Sequence, residues 1–173
     1  MLDGMPFEPT FAHALTFALR QSTDRLLPFV ADLDHGQLHH RPVAGANCAA
    51  WILGHVISVE RHAMLRLGLA EEKDLPPLPR EDFDAWFGRD ADAAGREDYG
   101  DVAGLPGVFK QHREVMISAV ERGGDELCAR PLPRPTPRGD TVGELLLFFT
   151  IHVSLHAGHL STIRRSLGLP PLV

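Results

Sequence analysis

The sequence is poor in the features that mark most specialised classes. Only two of its 173 residues are cysteine, Cys48 and Cys128. That is too few for a disulfide framework, and free thiols in a reducing cytosol are the expectation. There is no run of Lys or Arg; the basic residues are mostly scattered, with Arg164 and Arg165 adjacent, and the net charge is −6. A dedicated nucleic-acid binder is therefore not expected. The opening stretch, MLDGMPFEPT, has neither a basic n-region nor an apolar h-region, so no secretory signal is read. The longest apolar stretch, Leu145 to Leu155, is interrupted by His152 and falls short of a bilayer span. No β-strand pattern, internal repeat or low-complexity segment is evident. With 44% hydrophobic and 23% charged residues, the chain reads as one soluble cytoplasmic domain over residues 1–173, with no membrane partner.

What is present in excess is histidine, ten residues, set on a helical periodicity. Phe11, Leu15, Ala18, Leu19, Ser22, Leu26 and Val30 recur at helical spacing, predicting a first helix over about 10–31, with Pro28 bending its last turn. A loop follows from Asp34 to Ala46, rich in turn-formers, where His35, His39 and His40 should be solvated. Asn47 is the expected N-cap of a second helix that runs to about Leu67, with core stripe Ile52, Val56, Val59, Ala63 and Leu67 and Gly68 as its C-cap. Residues 70–100 form a long connection whose FDAWF patch, Phe83 to Phe87, is too aromatic for a free linker and should fold back on the helices. A third helix is predicted over 101–122, with stripe Leu105, Phe109, His112, Met116 and Ala119, stopped by Gly123-Gly124. PLPRPTPRGD then reads as a rigid, non-helical connector. Thr141 and Glu144 have capping-box spacing for a fourth helix ending near Leu167. Four long helices make an all-α four-helix bundle.

The fourth helix carries I-H-V-S-L-H-A-G-H-L. His152 and His156 are four apart, about 40° apart around the axis and one turn up the same face. By that spacing one helix offers two imidazoles to one metal ion. The glutamate that follows the first histidine in zinc proteases is replaced by Val153, so a protease reading lacks its general base. His159 is seven after His152, about 10.5 Å along the axis, which suits a pocket residue better than a third ligand. The expected core stripe is Leu145, Phe148, Phe149, His152, Leu155, His156, His159 and Ile163, which puts these histidines on the inward side. Buried imidazoles must be hydrogen-bonded or metal-bound. His55 lies on or beside the core stripe of the second helix, with His62 on the same general face. His112 faces inward alone, Cys48 reads as a small buried residue, and Glu60, about 140° round from His55, reads as a solvated surface group.

Taken together these residues resemble the DinB-like superfamily, the DinB/YfiT four-helix bundles. The resemblance rests on L-H-H-R-P (Leu38 to Pro42), Asn47, W-I-L-G-H (Trp51 to His55), F-D-A-W-F-G (Phe83 to Gly88), H-V-S-L-H-A-G-H-L (His152 to Leu160) and R-R-S-L-G (Arg164 to Gly168). It covers nearly the whole chain. It implies a bundle of the DinB/YfiT type, with the long connection between helices two and three, and a divalent metal, zinc or nickel, held by His55, His152 and His156. Family members often carry Gln where this chain has His159. Relatives include thiol transferases or isomerases that use bacillithiol, mycothiol or glutathione, others described as metal-dependent hydrolases, and many of no known activity.

The resulting expectation is a metal-dependent enzyme that activates a low-molecular-weight thiol or a water at the three-His centre. His159 would relay a proton or orient the substrate, and the Trp86/Phe87 region would close over the pocket. A metal- or small-molecule-binding stress protein without catalysis, and a purely structural bundle, are the rival readings. A homodimer is a further expectation.

Overall fold

The computed structural model describes residues 9–89, 91 and 96–172. Residues 1–8 of the amino-terminal stretch considered above for a signal, and Gly95 of the long connection, lie outside the described residues. Four long helices dominate: α1 (Phe11–Leu26), α3 (Ala49–Arg66), α5 (Leu105–Ala129) and α6 (Val142–Ser166). Two short helices, α2 (His35–His39) and α4 (Phe83–Phe87), fill the connections, and an antiparallel ribbon of β1 (Pro131–Thr136) and β2 (Gly139–Thr141) joins α5 to α6. The four-helix bundle expected from periodicity is the observed fold.

The apolar side chains gather into two clusters, one at each end of the bundle. One holds Leu26, Trp51, Val56, Phe109 and Val153; the other holds Leu19, Met64, Met116 and Phe149. Following each helix from one cluster to the other gives its direction. The chains of α1 and α6 run one way, and those of α3 and α5 the other. Helix α1 packs on α5 and α6, and α3 packs on α5 and α6. Because α3 and α5 are parallel neighbours, the chain must return the length of the bundle between them, as any parallel pair requires. That return is the long connection over 67–104.

Between the two clusters lies a buried polar layer built from all four helices. Arg113 of α5 donates to Glu60 of α3 at 2.6 Å, both side chains being 0% exposed. It also donates to Ser22 of α1 and to the Phe149 carbonyl of α6, each at 3.3 Å. Glu60 is thus not the solvated group its sequence position suggested; burial raises its carboxyl to about 7, against the pull of Arg113. Beside it Arg61 donates to His112 Nε2 at 3.0 Å and to the Pro76 carbonyl at 3.0 Å, fastening the long connection to the bundle.

Several local expectations need correction. Asn47 is not the N-cap of α3: Cys48 occupies that position, without a side-chain cap bond, and is fully buried. Asp34 and Gln37 form a capping box that starts α2 inside the segment read as loop. Gly123-Gly124 breaks α5 but does not end it. Gly124 sits at φ 56°, ψ −153°, and the helix resumes to Ala129. A positive φ there suits glycine alone. The proline-rich connector forms the β1–β2 ribbon, pairing Pro131 with Thr141 and Thr136 with Gly139. Proline is tolerated in so narrow a ribbon, where an unused N–H faces outward. The Thr141–Glu144 capping box is present, with Glu144 Oε2 accepting from the Thr141 N–H at 2.9 Å. Helix α6 is also long and apolar enough by composition to cross a membrane; here it packs against α1, α3 and α5 within the bundle.

Candidate metal centre

The site is built by two helices and one carbonyl. On α3, His55 follows Gly54. A Cβ at Gly54 would lie 2.1 Å from the Phe87 ring, so glycine is what lets α4 lie directly on α3. Phe83 and Phe87 are both buried by that contact, as the fold-back of FDAWF required. The same contact brings the Phe87 carbonyl to His55 Nδ1, which donates to it at 3.1 Å. The proton is thereby fixed on Nδ1, and Nε2 carries the lone pair. Trp51, one turn earlier, stacks on His55 at 4.4 Å with an 11° tilt between the rings.

On α6, His152 and His156 face His55. Their ring centroids lie 5.4 and 5.5 Å from that of His55, and the Nε2 atoms of His152 and His156 are 3.1 Å apart. One ligand atom from each of the three residues falls within 4.8 Å of the others. Two nitrogens bound tetrahedrally to one zinc ion at ~2.0–2.1 Å would be about 3.4 Å apart, close to the observed pair. The Nδ1 atoms of His152 and His156 are buried with no hydrogen-bond partner among the described residues. Phe148 stacks on His152, with centroids 5.8 Å apart.

Charge completes the picture. Burial lowers His55, with the Phe87 carbonyl acting against it. Burial, then the neighbouring His55, Arg138 and Arg113, lower His152 to about 4. Burial, then His152, His55 and His159, lower His156 to about 3. All three are therefore neutral at neutral pH, the form that binds metals. Among the described residues, the groups acting on them are imidazoles, guanidinium groups and a carbonyl, with no carboxylate. The donor set, its protonation and its spacing fit a divalent cation of the borderline class, and the group could hold one.

The other candidates sort differently. His159 is exposed, not on the buried stripe, with its ring 5.6 Å from that of His156. Leu155, also assigned to the core, is exposed. The inward face is instead Leu145, Leu146, Phe149, Val153, His156, Ala157, Leu160 and Ile163. His62 is exposed and lines a cavity beside α3. Trp86 is half-buried; its N–H donates to Asp82 at 2.8 Å, and the Arg80 guanidinium lies 3.1 Å above its ring. The covering role expected of Trp86/Phe87 falls to Phe87 alone, as a buried wall. His39 is not solvated but half-buried, donating from Nδ1 to the His35 carbonyl at 2.7 Å and accepting at Nε2 from the Tyr99 N–H at 3.0 Å. Sequence reasoning missed the Phe87 carbonyl, for which Gly54 beside His55 was the available signal. It also missed Arg113, which lies four after the core residue Phe109 and so on the same face.

Comparison with known proteins agrees with this geometry. A family model described as the DinB superfamily matches residues 18–160. No curated protein matches. Among solved structures, YfiT from Bacillus subtilis, described as a probable metal-dependent hydrolase with an unusual four-helix bundle topology, superposes with a TM-score of 0.68 at 16% identity. The match covers 92% of this chain and 89% of that one.

Proposed function

The chain belongs to the DinB superfamily, and from that premise we propose that it is a metal-dependent enzyme. It holds one divalent ion, zinc or nickel, on His55, His152 and His156, and acts on a low-molecular-weight thiol as co-substrate. The single observation that carries the reading is the set of three neutral imidazoles, two buried and one half-buried, converging from α3 and α6. When bound, the ion supplies Lewis acidity that lowers the pKa of a thiol into the neutral range.

The protein's own residues do the rest. The Phe87 carbonyl holds His55 in the tautomer that offers Nε2. Trp51 and Phe148 wall the centre with aromatic surface and exclude water. His159, on the solvent side of His156, takes or returns the thiol proton. In the transfer, the thiolate sulfur forms a bond to an electrophilic carbon, and the leaving group departs with its electron pair.

A thiol is favoured over water because, among the described residues, no carboxylate acts on the three imidazoles. A thiol, with a pKa of about 8.5, needs less help to ionise than water does. Hydrolysis is the second reading, favoured by the description attached to the Bacillus subtilis structure.

The test is turnover of a low-molecular-weight thiol with a fluorogenic alkylating agent, beside a panel of ester and amide substrates. It is run on protein as purified, after chelation, and after zinc or nickel is restored. Thiol turnover lost on chelation and regained with metal is expected. Metal-dependent ester or amide cleavage instead selects hydrolysis. Bound metal with no turnover of either kind reduces the protein to a metal-binding module, and full activity after chelation overturns the proposal.

A further inference from the structure

A cavity of about 500 Å³ opens between α3, α4, the turn of the β1–β2 ribbon and α6. Val59, Ala63, Leu145 and Phe149 give it an apolar wall. Its charge runs against that of the molecule. The protein carries a net charge of −6, yet among the described residues Arg66, Arg89 and Arg138 line this space, with Asp84 as the carboxylate. Asp84 is already engaged, accepting from the Ser58 hydroxyl at 2.6 Å. Neither Arg66 nor Arg138 gives its guanidinium to a carboxylate or carbonyl among the described residues. Arg138 uses its backbone N–H on Thr136, and its guanidinium lies 5.0 Å from the Phe148 ring centre.

The cavity and the three-His centre share neighbours. Phe148, under Arg138, is the ring that stacks on His152, and the positive charge of Arg138 is felt at His152. On the other side, Gly88 of the cavity wall follows Phe87, whose carbonyl holds His55. Unpaired guanidinium groups over an apolar wall are the arrangement that recognises an organic anion, the forked donors meeting carboxylate or phosphate oxygens.

We propose that this cavity binds the anionic end of a small organic molecule with an apolar body, its carboxylate or phosphate resting on Arg66 and Arg138. The ligand's role as substrate rests on the function proposed above; its binding does not. A substrate so held would reach toward the three imidazoles past Phe148.

The probes are phenyl phosphate, phenylacetate and, as the neutral control, phenol, titrated calorimetrically into the protein as purified. The comparison variants are Arg66→Gln/Arg138→Gln and His152→Ala. Saturable binding of at least one anion, absent for phenol, is expected. The double arginine variant should weaken it about tenfold or more, since charge-assisted hydrogen bonds are lost. His152→Ala should bind as the unmodified protein does. The tighter of the two anions identifies the head group as phosphate or carboxylate. Equal affinity in the arginine variant, or no saturable binding of either anion, overturns the proposal. So does binding lost in His152→Ala but kept in the arginine variant, which would put the anion on the three-His centre. Melting curves check that the double variant folds, and if it does not, Arg66→Gln and Arg138→Gln singly carry the test. A protein that takes up no metal yet binds the anion through its arginines would sink the proposed function and leave this site standing.

Discussion

Among the described residues two groups of side chains could hold a metal ion, and by distance alone they are alike. His55, His152 and His156 bring ligand atoms within 4.8 Å of one another, and so do His35, His39 and Asp98. Their hydrogen bonds separate them. On the surface, both nitrogens of His39 are committed, one to the His35 carbonyl and one to the Tyr99 N–H. Asp98 Oδ1 accepts from the Gly100 N–H at 2.7 Å and lies 3.3 Å from His39 Nε2, on a largely exposed side chain. That group is a completed clasp, tying α2 to the segment around Tyr99. In the bundle, the imidazoles turn their nitrogens on one another, and two Nδ1 atoms stay buried without partners. Proximity marks both groups, but only in the second do imidazole nitrogens face one another across a space that a cation would fill.

The largest expected effect follows from removing each group in turn. Protein prepared with zinc or nickel in the medium should carry about one ion per chain by elemental mass spectrometry, in keeping with a single three-imidazole donor set. His152→Ala/His156→Ala should carry none, and His35→Ala/His39→Ala should carry as much as the unmodified protein. Metal lost with the surface pair and kept without the bundle pair would reverse the comparison.

A glycine in each region offers a finer test. Alanine at Gly54 would drive its Cβ to 2.1 Å from the Phe87 ring, whereas alanine at Gly36 meets only Asp34 Oδ1, at 3.5 Å. Gly54→Ala should therefore push α4 off α3 at a cost of about 1–3 kcal/mol. It should also free His55 from its carbonyl and weaken metal binding about 10–100-fold, as losing a ligand's orienting partner does. Gly36→Ala, inside a helix and in open space, should change stability by no more than about 1 kcal/mol, in the favourable direction. Chemical denaturation and a competition titration against a chelator measure both. Equal metal affinity in the two variants would mean that the Phe87 carbonyl does not position His55.

How much of this was legible in the sequence depended on whether the signal was local. The helix cores, the Thr141–Glu144 box and the fold-back of FDAWF follow from spacing and side-chain type within one segment. The helical stripes of α3 and α6 marked several histidines as imidazoles in need of partners; that His55, His152 and His156 are the ones that gather was implied by the resemblance to the DinB-like bundles. The parallel run of α3 and α5 was not legible, because direction is set by which ends meet and not by periodicity. Glu60 was misjudged for the same reason: its partner, Arg113, is on another helix, and only the assembled bundle makes that face inward. His159 and Leu155 went the other way. The buried face of α6 centres on Leu146, Phe149, Val153 and Leu160, to one side of the expected stripe, and both residues fall outside it. The ribbon was hidden by its prolines, which argue against strands in any sheet broad enough to need their N–H groups.

The smallest effect concerns a histidine that belongs to neither group. His112 is fully buried, donating from Nδ1 to the Val108 carbonyl at 3.0 Å and accepting from Arg61 at Nε2. Burial lowers it from its ordinary 6.5 to about 4. Between those values the unfolded chain binds a proton at this residue and the folded one refuses it. Stability must then fall as the pH falls from about 6.5 toward 4, and this group adds no further loss below that. The loss should be of order 2 kcal/mol between the ends of that window. Urea denaturation of metal-free protein at several pH values isolates it. His112→Gln should show a shallower decline than the unmodified protein, since the other histidines are common to both. Parallel curves for the two would mean that His112 takes its proton as readily in the fold as out of it. The Arg61 clamp on the long connection would then have to rest on the Pro76 carbonyl and Glu72 without an imidazole acceptor.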